Sequence, residues 1–287
     1  MSALQQRFAG RTLAVATMHG KEEAIGPAML QQLPLAACIA IPDLDTDRFG
    51  AFSGEVLRGT DPRTAALHKA KHGAEHSGHA LVIASEGSFV PYPPAPFITC
   101  DEEWLVLYDA RDGRSWAHRH VALETVAGGA SCATLAEVRA FAQRMRFPSH
   151  GLVLKPHAHW RAGDAVVKGL ADGAALEDAA AKVIERHGAV WVESDLRAMM
   201  NPTRMGVIRT TAERFARELA NPCPACGELH FTVAEVVPGL PCGLCGMPTE
   251  GVRAYKRRCE ACGHTVLEPR PDGRMAEAPM HCANCNP

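Results

Sequence analysis

Apolar residues along the chain follow two periodicities, and the switches between them outline a series of strands and helices. RTLAVAT (11–17) is a β-compatible run with the length of a buried strand. The next segment places Ile25, Met29 and Leu30 at helical spacing, with Glu22 and Glu23 in a first turn that favours acids and Pro27 marking a start nearby. An extended, loop-like stretch from Ala37, rich in Asp, Gly and Ser, leads to a predicted helix over 61–77. Asp61 is its candidate N-cap and Pro62 its first residue. HALVIASEG (79–87) predicts a second strand that ends in a polar turn, and residues 102–118 a hairpin turning at Asp112-Gly113. Further on, 135–145 reads as helix, 151–156 as strand, 163–187 as helical and 189–194 as strand. A well-patterned helix over 205–221 closes at Asn221-Pro222. This alternation predicts a mixed-sheet α/β domain over residues 1–221.

Beyond Pro222 the pattern gives way to a repeat of cysteine pairs: Cys223/Cys226, Cys242/Cys245, Cys259/Cys262 and Cys282/Cys285. Two residues between thiolates let both sulfurs face one metal, and Gly227, Gly246 and Gly263 supply the positive φ of the turn. Four thiolates fill a tetrahedral zinc site, so eight make two closed, structural sites with no open position for chemistry. Residues 222–287 are therefore expected to form a small zinc-ribbon-like domain that folds around two structural Zn ions. The intervening lengths of 15, 13 and 19 residues leave the pairing of the knuckles open. Pairing first with second and third with fourth is simplest, and nested or crossed arrangements fit equally well. Thiols arranged this way, without an export signal, point to a reducing, cytoplasmic setting.

Composition narrows the partners. The 287 residues carry a net charge of −2 and are 47% hydrophobic, as a soluble globular chain would be. No apolar run is long enough to predict a membrane span. Charge near zero and 6% aromatics argue against a dedicated nucleic-acid binder, although nucleic acid is not excluded. Arg253, Lys256, Arg257 and Arg258 form either a local nucleic-acid patch or a solvated ribbon face.

Candidate chemistry gathers in the first domain. Thr17, His19 and Lys21 follow the opening strand, where an α/β fold binds ligands and a helix N-terminus attracts phosphate. Asp43, Asp45, Asp47 and Glu55 lie beside a small-residue turn and suit either a hard cation such as Mg²⁺ or a solvated acidic loop. Ser85, Glu86, Gly87 and Ser88 are expected in a second strand-end loop, with Lys69 and Lys71 on the helix before it. Asp195, Arg197, Asn201 and Arg204 precede the last long helix; the arginines are candidates for phosphate, or for salt bridges to the nearby acids.

These residues resemble a bacterial domain family of unknown function. Its ATxHxKE, DTDxxGTFSGE, ASEGSF and NPTRM motifs and CxxC-rich tail are matched here by ATMHGKE (16–22), DTDRFGAFSGE (45–55), ASEGSF (84–89), NPTRM (201–205) and the four knuckles. More distantly, the first 220 residues resemble the inosine/xanthosine triphosphate pyrophosphatases in order of elements. Thr17, His19 and Lys21 stand where that family's ATxN…K loop holds the triphosphate, with His in place of Asn and one residue fewer. SGE (53–55), His68-Lys69-Ala70, Glu86-Gly87 and DLRAMMNPTR echo its later motifs.

Together these features predict a Mg²⁺- or Mn²⁺-dependent hydrolase of a nucleotide or another small phosphorylated substrate. His19, Lys21, Glu55 and Glu86 would be catalytic, and Thr17, Lys21, Ser88, Arg197, Asn201 and Arg204 would bind substrate. Asp45, Asp47, Glu55 and Glu86 would hold the cation. The alternative is a zinc-ribbon adaptor that recognises nucleic acid or a protein without catalysis.

Overall fold

The computed structural model describes residues 2–44, 60–159, 161 and 163–287, which form a mixed α/β fold and a small cysteine-built module. Asp45, Asp47 and Glu55 lie outside the described residues. The chain divides into two compact units, Phe8–Ala216 and a smaller one combining Met1–Arg7 with Arg217–Pro287.

In the larger unit the apolar run at residue 11 forms β1 (Thr12–Ala16); α1 (Ala3–Phe8), which precedes it in the chain, belongs to the smaller unit but for Phe8. Helix α2 (Glu22–Gln32) starts with its two acids and runs through Pro27, five residues earlier than the proline suggested. The stretch read as loop-like opens with a short strand, β2 (Ala37–Ala40). Asp61 caps α3 (Pro62–Ser77), its carboxylate accepting from the Thr64 backbone N–H at 3.0 Å.

Strand β3 (Leu81–Tyr92) corrects the sequence reading. It does not end at Gly87 but continues through the polar residues as half of a long hairpin with β4 (Ala95–Asp109). β5 (Arg114–Ala122) completes a five-stranded sheet of order β2-β1-β3-β4-β5, in which β1 is parallel to both neighbours and the rest is antiparallel. Ala70 and Ala74 of α3 pack on Ala14, Ala16, Val82 and Ala84 of one face. The opposite face meets α6 (Pro202–Leu219), where Phe215 stacks on His118 at 6.0 Å between ring centroids.

A second, antiparallel sheet of order β6-β9-β7-β8 is built from β6 (Gly129–Cys132), β7 (Leu152–Lys155), β8 (Val167–Leu170) and β9 (Val190–Ser194). Helices α4 (Leu135–Arg144) and α5 (Gly173–His187) cover it with Val138, Phe141, Leu176 and Ala180. The region expected to be helical from 163 therefore contributes strand β8 before its helix begins. Lys168 and Gly169 break the helical period there, and Gly169 takes a φ of 73°.

The cysteine-bearing part of the smaller unit holds a three-stranded antiparallel meander of β10 (Thr232–Pro238), β11 (Val252–Arg258) and β12 (Thr265–Pro269). Among the described residues no helix is long and apolar enough to cross a membrane.

Candidate functional site

The meander decides the cysteine pairing. Each knuckle lies next to a strand end, and an antiparallel chain reverses direction at every turn. Odd-numbered knuckles therefore collect at one end and even-numbered ones at the other. Cys223, Cys226, Cys259 and Cys262 form one group, and Cys242, Cys245, Cys282 and Cys285 the other, which is the crossed arrangement. Sulfur separations of 3.8 Å (Cys223–Cys262), 3.7 Å (Cys226–Cys259), 3.9 Å (Cys242–Cys285) and 3.7 Å (Cys245–Cys282) have the right size. A tetrahedron with Zn–S bonds of about 2.3 Å spaces its sulfurs about 3.8 Å apart. Either group could therefore hold a zinc ion. Gly227, Gly246 and Gly263 adopt φ of 75°, 72° and 74° in the knuckle turns. The basic residues of β11 have acidic neighbours across the sheet: Lys256 pairs with Glu235 at 3.1 Å and Arg257 with Glu268 at 2.7 Å.

In the larger unit a second polar cluster lies where β1 ends. β1 stops opposite Ala84, while β3 runs on through Ser85 and Glu86, leaving the 17–21 loop to border them. Thr17 accepts the His19 backbone N–H through Oγ1 at 3.1 Å, and Lys21 extends its ammonium to Ser85 Oγ at 2.8 Å. Lys21 is buried, and desolvation, with Arg204 next, lowers its pKa from the usual lysine range to about 7. His19 is brought down to about 3 by burial and by the charges of Lys21, Arg204, Arg197 and Lys69. A cavity of about 520 Å³ opens beside this loop, lined by Thr17, Gly20, Glu22, Ala40 and Asp43 among others.

Register places the remaining groups. Directly opposed residues of an antiparallel pair share a face. Ser85, Gly87 and Phe89 of β3 therefore lie beside Leu105, Glu103 and Asp101 of β4, on the face that meets α6. Arg204, 1% exposed, enters this layer from the first turn of α6 and gives its Nε to Glu103 Oε1 at 2.6 Å. Its Nη1 donates to the Leu196 carbonyl. Gly87 leaves the necessary room: a Cβ there would lie 2.3 Å from both Arg204 Nη2 and Glu103 Oε1. Glu86 points to the other face, where the Lys69 ammonium of α3 holds its Oε2.

Asp101 and Glu103 are 1% and 0% exposed, and among the described residues neither Asp101 oxygen nor Glu103 Oε2 has a hydrogen-bond partner. Burial and the neighbouring Glu103 charge push the Asp101 carboxyl up to about 8. Each orphaned buried polar group costs about 1–3 kcal/mol.

The structure thus brings His19, Lys21 and Arg204 into one electrostatic neighbourhood, with Glu86 close enough to act on Lys21. Arg197 binds Asp195 through Nε at 3.0 Å and Nη2 at 2.6 Å, so it has the salt bridge that the sequence offered as its alternative role. Asn201 caps α6, its Oδ1 accepting from the Arg204 N–H and its Nδ2 donating to the Val126 carbonyl, both at 3.0 Å. Ser88 lies opposite Glu102, on the same face as Glu86 and away from Arg204. Asp101 and Glu103 are the site residues that sequence reasoning passed over. Their signal is phase, since both alternate in step with the buried Leu105 and Leu107.

Among the protein families compared, a domain of unknown function (DUF6671) matches residues 69–287, and the chain belongs to that family. The matched span includes Lys69, Glu86, Asp101, Glu103, Arg204 and all eight knuckle cysteines, and begins after His19 and Lys21. No curated protein and no solved structure matches the chain.

Proposed function

We propose that the Phe8–Ala216 unit hydrolyses a nucleotide or another small phosphorylated molecule and that the cysteine module is structural, with a zinc ion in each thiolate group. The observation that best supports this reading is the convergence of Lys21, Lys69 and Arg204 around a His19 whose proton affinity they all lower. The cations gathered there attract an anion, and buried donors act on a phosphoryl group at low dielectric. Lys21 and Arg204 would orient the phosphate oxygens, and His19, neutral at physiological pH, would act as a hydrogen-bond donor or acceptor and not as a cation.

The resemblance to triphosphate pyrophosphatases also implies Mg²⁺ or Mn²⁺, which would polarise the phosphoryl group and supply an activated water. Of the donor set expected for it, only Glu86 lies among the described residues. Glu86 is held by Lys69, and Asp45, Asp47 and Glu55 lie outside the described residues. Among the described residues the groups of three or more ligands close enough for one ion are the two cysteine sets. No step is therefore assigned to Glu86 through a metal.

The test is turnover of a broad nucleotide and phosphate-ester panel by the zinc-loaded full chain, with Mg²⁺, with Mn²⁺ and with neither. Lys21→Met should cost the active reaction about 10²-fold, the scale of losing one preorganised charge-stabilising donor. Absence of turnover across the panel, or full activity in K21M, would overturn the proposal. A second reading, the zinc-ribbon adaptor, draws on Leu244, Met247, Met275 and Met280, which are exposed in the module. Salt-sensitive nucleic-acid binding or a stable protein complex, without hydrolysis, would favour it.

A further inference from the structure

We infer that Asp101 and Glu103 on β4 form a divalent-cation site of the Mg²⁺/Mn²⁺ class. The inference deepens the phosphate-handling reading and rests on it for its purpose. It moves the cation from the face of Glu86 to the opposite face of the same sheet.

Three observations carry it. The first is the orphaned oxygens: Asp101 and Glu103 are fully buried, yet both Asp101 oxygens and Glu103 Oε2 are without a hydrogen-bond partner among the described residues. Buried carboxylate oxygens are ordinarily satisfied, so three in one place point to something that belongs between them. The second is placement. The two residues are i and i+2 on one strand, hence on one face, with α-carbons about 7 Å apart. At that spacing both side chains can reach a single ion with oxygen distances of about 2.1 Å. Arg204 fixes one of the Glu103 oxygens, which orients the other and leaves it available. The third is the company they keep. Mg²⁺ is usually held by one or two carboxylates, several waters and the phosphate oxygens of the substrate, and not by a complete protein cage. Arg204 contacts Glu103 directly, and Lys21 acts electrostatically on Asp101. An anion held by Lys21 and Arg204 would thus complete the coordination shell and offset their repulsion of the ion. Glu86 lacks this opening, because Lys69 already occupies the place of a cation beside it.

The oxygen-only donor set separates this site from the thiolate groups, which take softer ions. Binding can therefore be read on the zinc-loaded full chain by titrating Mn²⁺ and following the free-ion electron paramagnetic resonance signal. The titration is run with Mn²⁺ alone and with inorganic phosphate. One saturable Mn²⁺ equivalent is expected, tighter with phosphate. Asp101→Asn, which keeps the volume and removes no hydrogen bond among the described residues, should weaken it at least about tenfold, whatever Glu86→Gln does. Because D101N alters a buried position, wild-type protein gives a second measurement. Bound Mn²⁺ should broaden the amide resonances of Gly87 and Glu103 more than those of Ala66 and Ala70 on α3. Failure to bind Mn²⁺ under either condition, full binding in D101N, or broadening centred on α3 would each overturn the inference. Binding at Asp101 without turnover would sink the hydrolase reading and leave this site standing. Turnover without Asp101-dependent binding would do the reverse.

Discussion

Lys21 has a consequence for stability that can be measured apart from any activity. Its ammonium is buried against Ser85 and its pKa falls to about 7, whereas an unfolded lysine titrates near 10.5. Between those values the unfolded chain binds the proton more readily than the folded one. Stability must therefore rise with pH across roughly 7 to 10, the reverse of a lysine that gains an ion-pair partner. Lys21→Met removes the titrating group and keeps a similar length, so the variant should lose that rise. The urea midpoint of K21M relative to the native chain should be highest near pH 7 and fall as pH approaches 10. Parallel profiles would show that Lys21 is not desolvated as described. Gly87 gives a second residue-scale prediction. Gly87→Ala places a methyl 2.3 Å from Arg204 Nη2 and Glu103 Oε1, the two partners of a buried ion pair, so that pair must shift to admit it. The expected cost is at least about 1–3 kcal/mol in chemical denaturation, with activity impaired beyond what the lost stability explains. An unchanged midpoint would mean that α6 is free to shift outward.

At the scale of elements, what the sequence discloses depends on how far apart the interacting groups lie. Helix α3 is legible because its cap, Asp61 with Pro62 behind it, is local, and the hairpin turn at Asp112-Gly113 is equally local. Strand β3 is harder. The polar run Ser85–Ser88 looks like a turn because nothing nearby shows that it is hydrogen-bonded to β4 along its whole length. The same blind spot hides Asp101 and Glu103. Carboxylates in a strand suggest an exposed face, yet α6, whose Arg204 lies 101 residues further along, covers that face and supplies the counter-charge. Phase against Leu105 and Leu107 was the available signal, and it outranks residue polarity in a strand covered on both sides. The knuckle pairing was also within reach. One strand separates each knuckle from the next, so an antiparallel meander sends alternate knuckles to opposite ends.

For the molecule as a whole, the two units differ in what holds them together. The Phe8–Ala216 unit has two sheets with their own apolar layers, including Val82 and Ala84 under α3 and Phe141 and Leu176 over the second sheet. The cysteine module has few buried apolar side chains among the described residues: Phe231 clusters with Cys223, Cys259 and Val266, and Leu229, Leu240 and Ala254 are buried besides. A three-stranded meander with so little apolar burial offsets little of the entropy of ordering its chain, and the proposed zinc ion in each thiolate group would supply the difference. Stripping the metal should therefore unfold the module and spare the larger unit. The measurement is limited proteolysis of the full chain before and after zinc is removed with a strong chelator under reducing conditions. New cleavages are expected beyond Pro222, while a fragment ending near the close of α6 stays protected. Its far-ultraviolet circular dichroism should persist, and restoring one zinc per thiolate group should restore protection of the tail. Simultaneous loss of both units on chelation would show that the α/β fold depends on the module for its stability. Unchanged cleavage would show that the module folds without metal, and that the sulfur separations near 3.8 Å reflect chain packing alone.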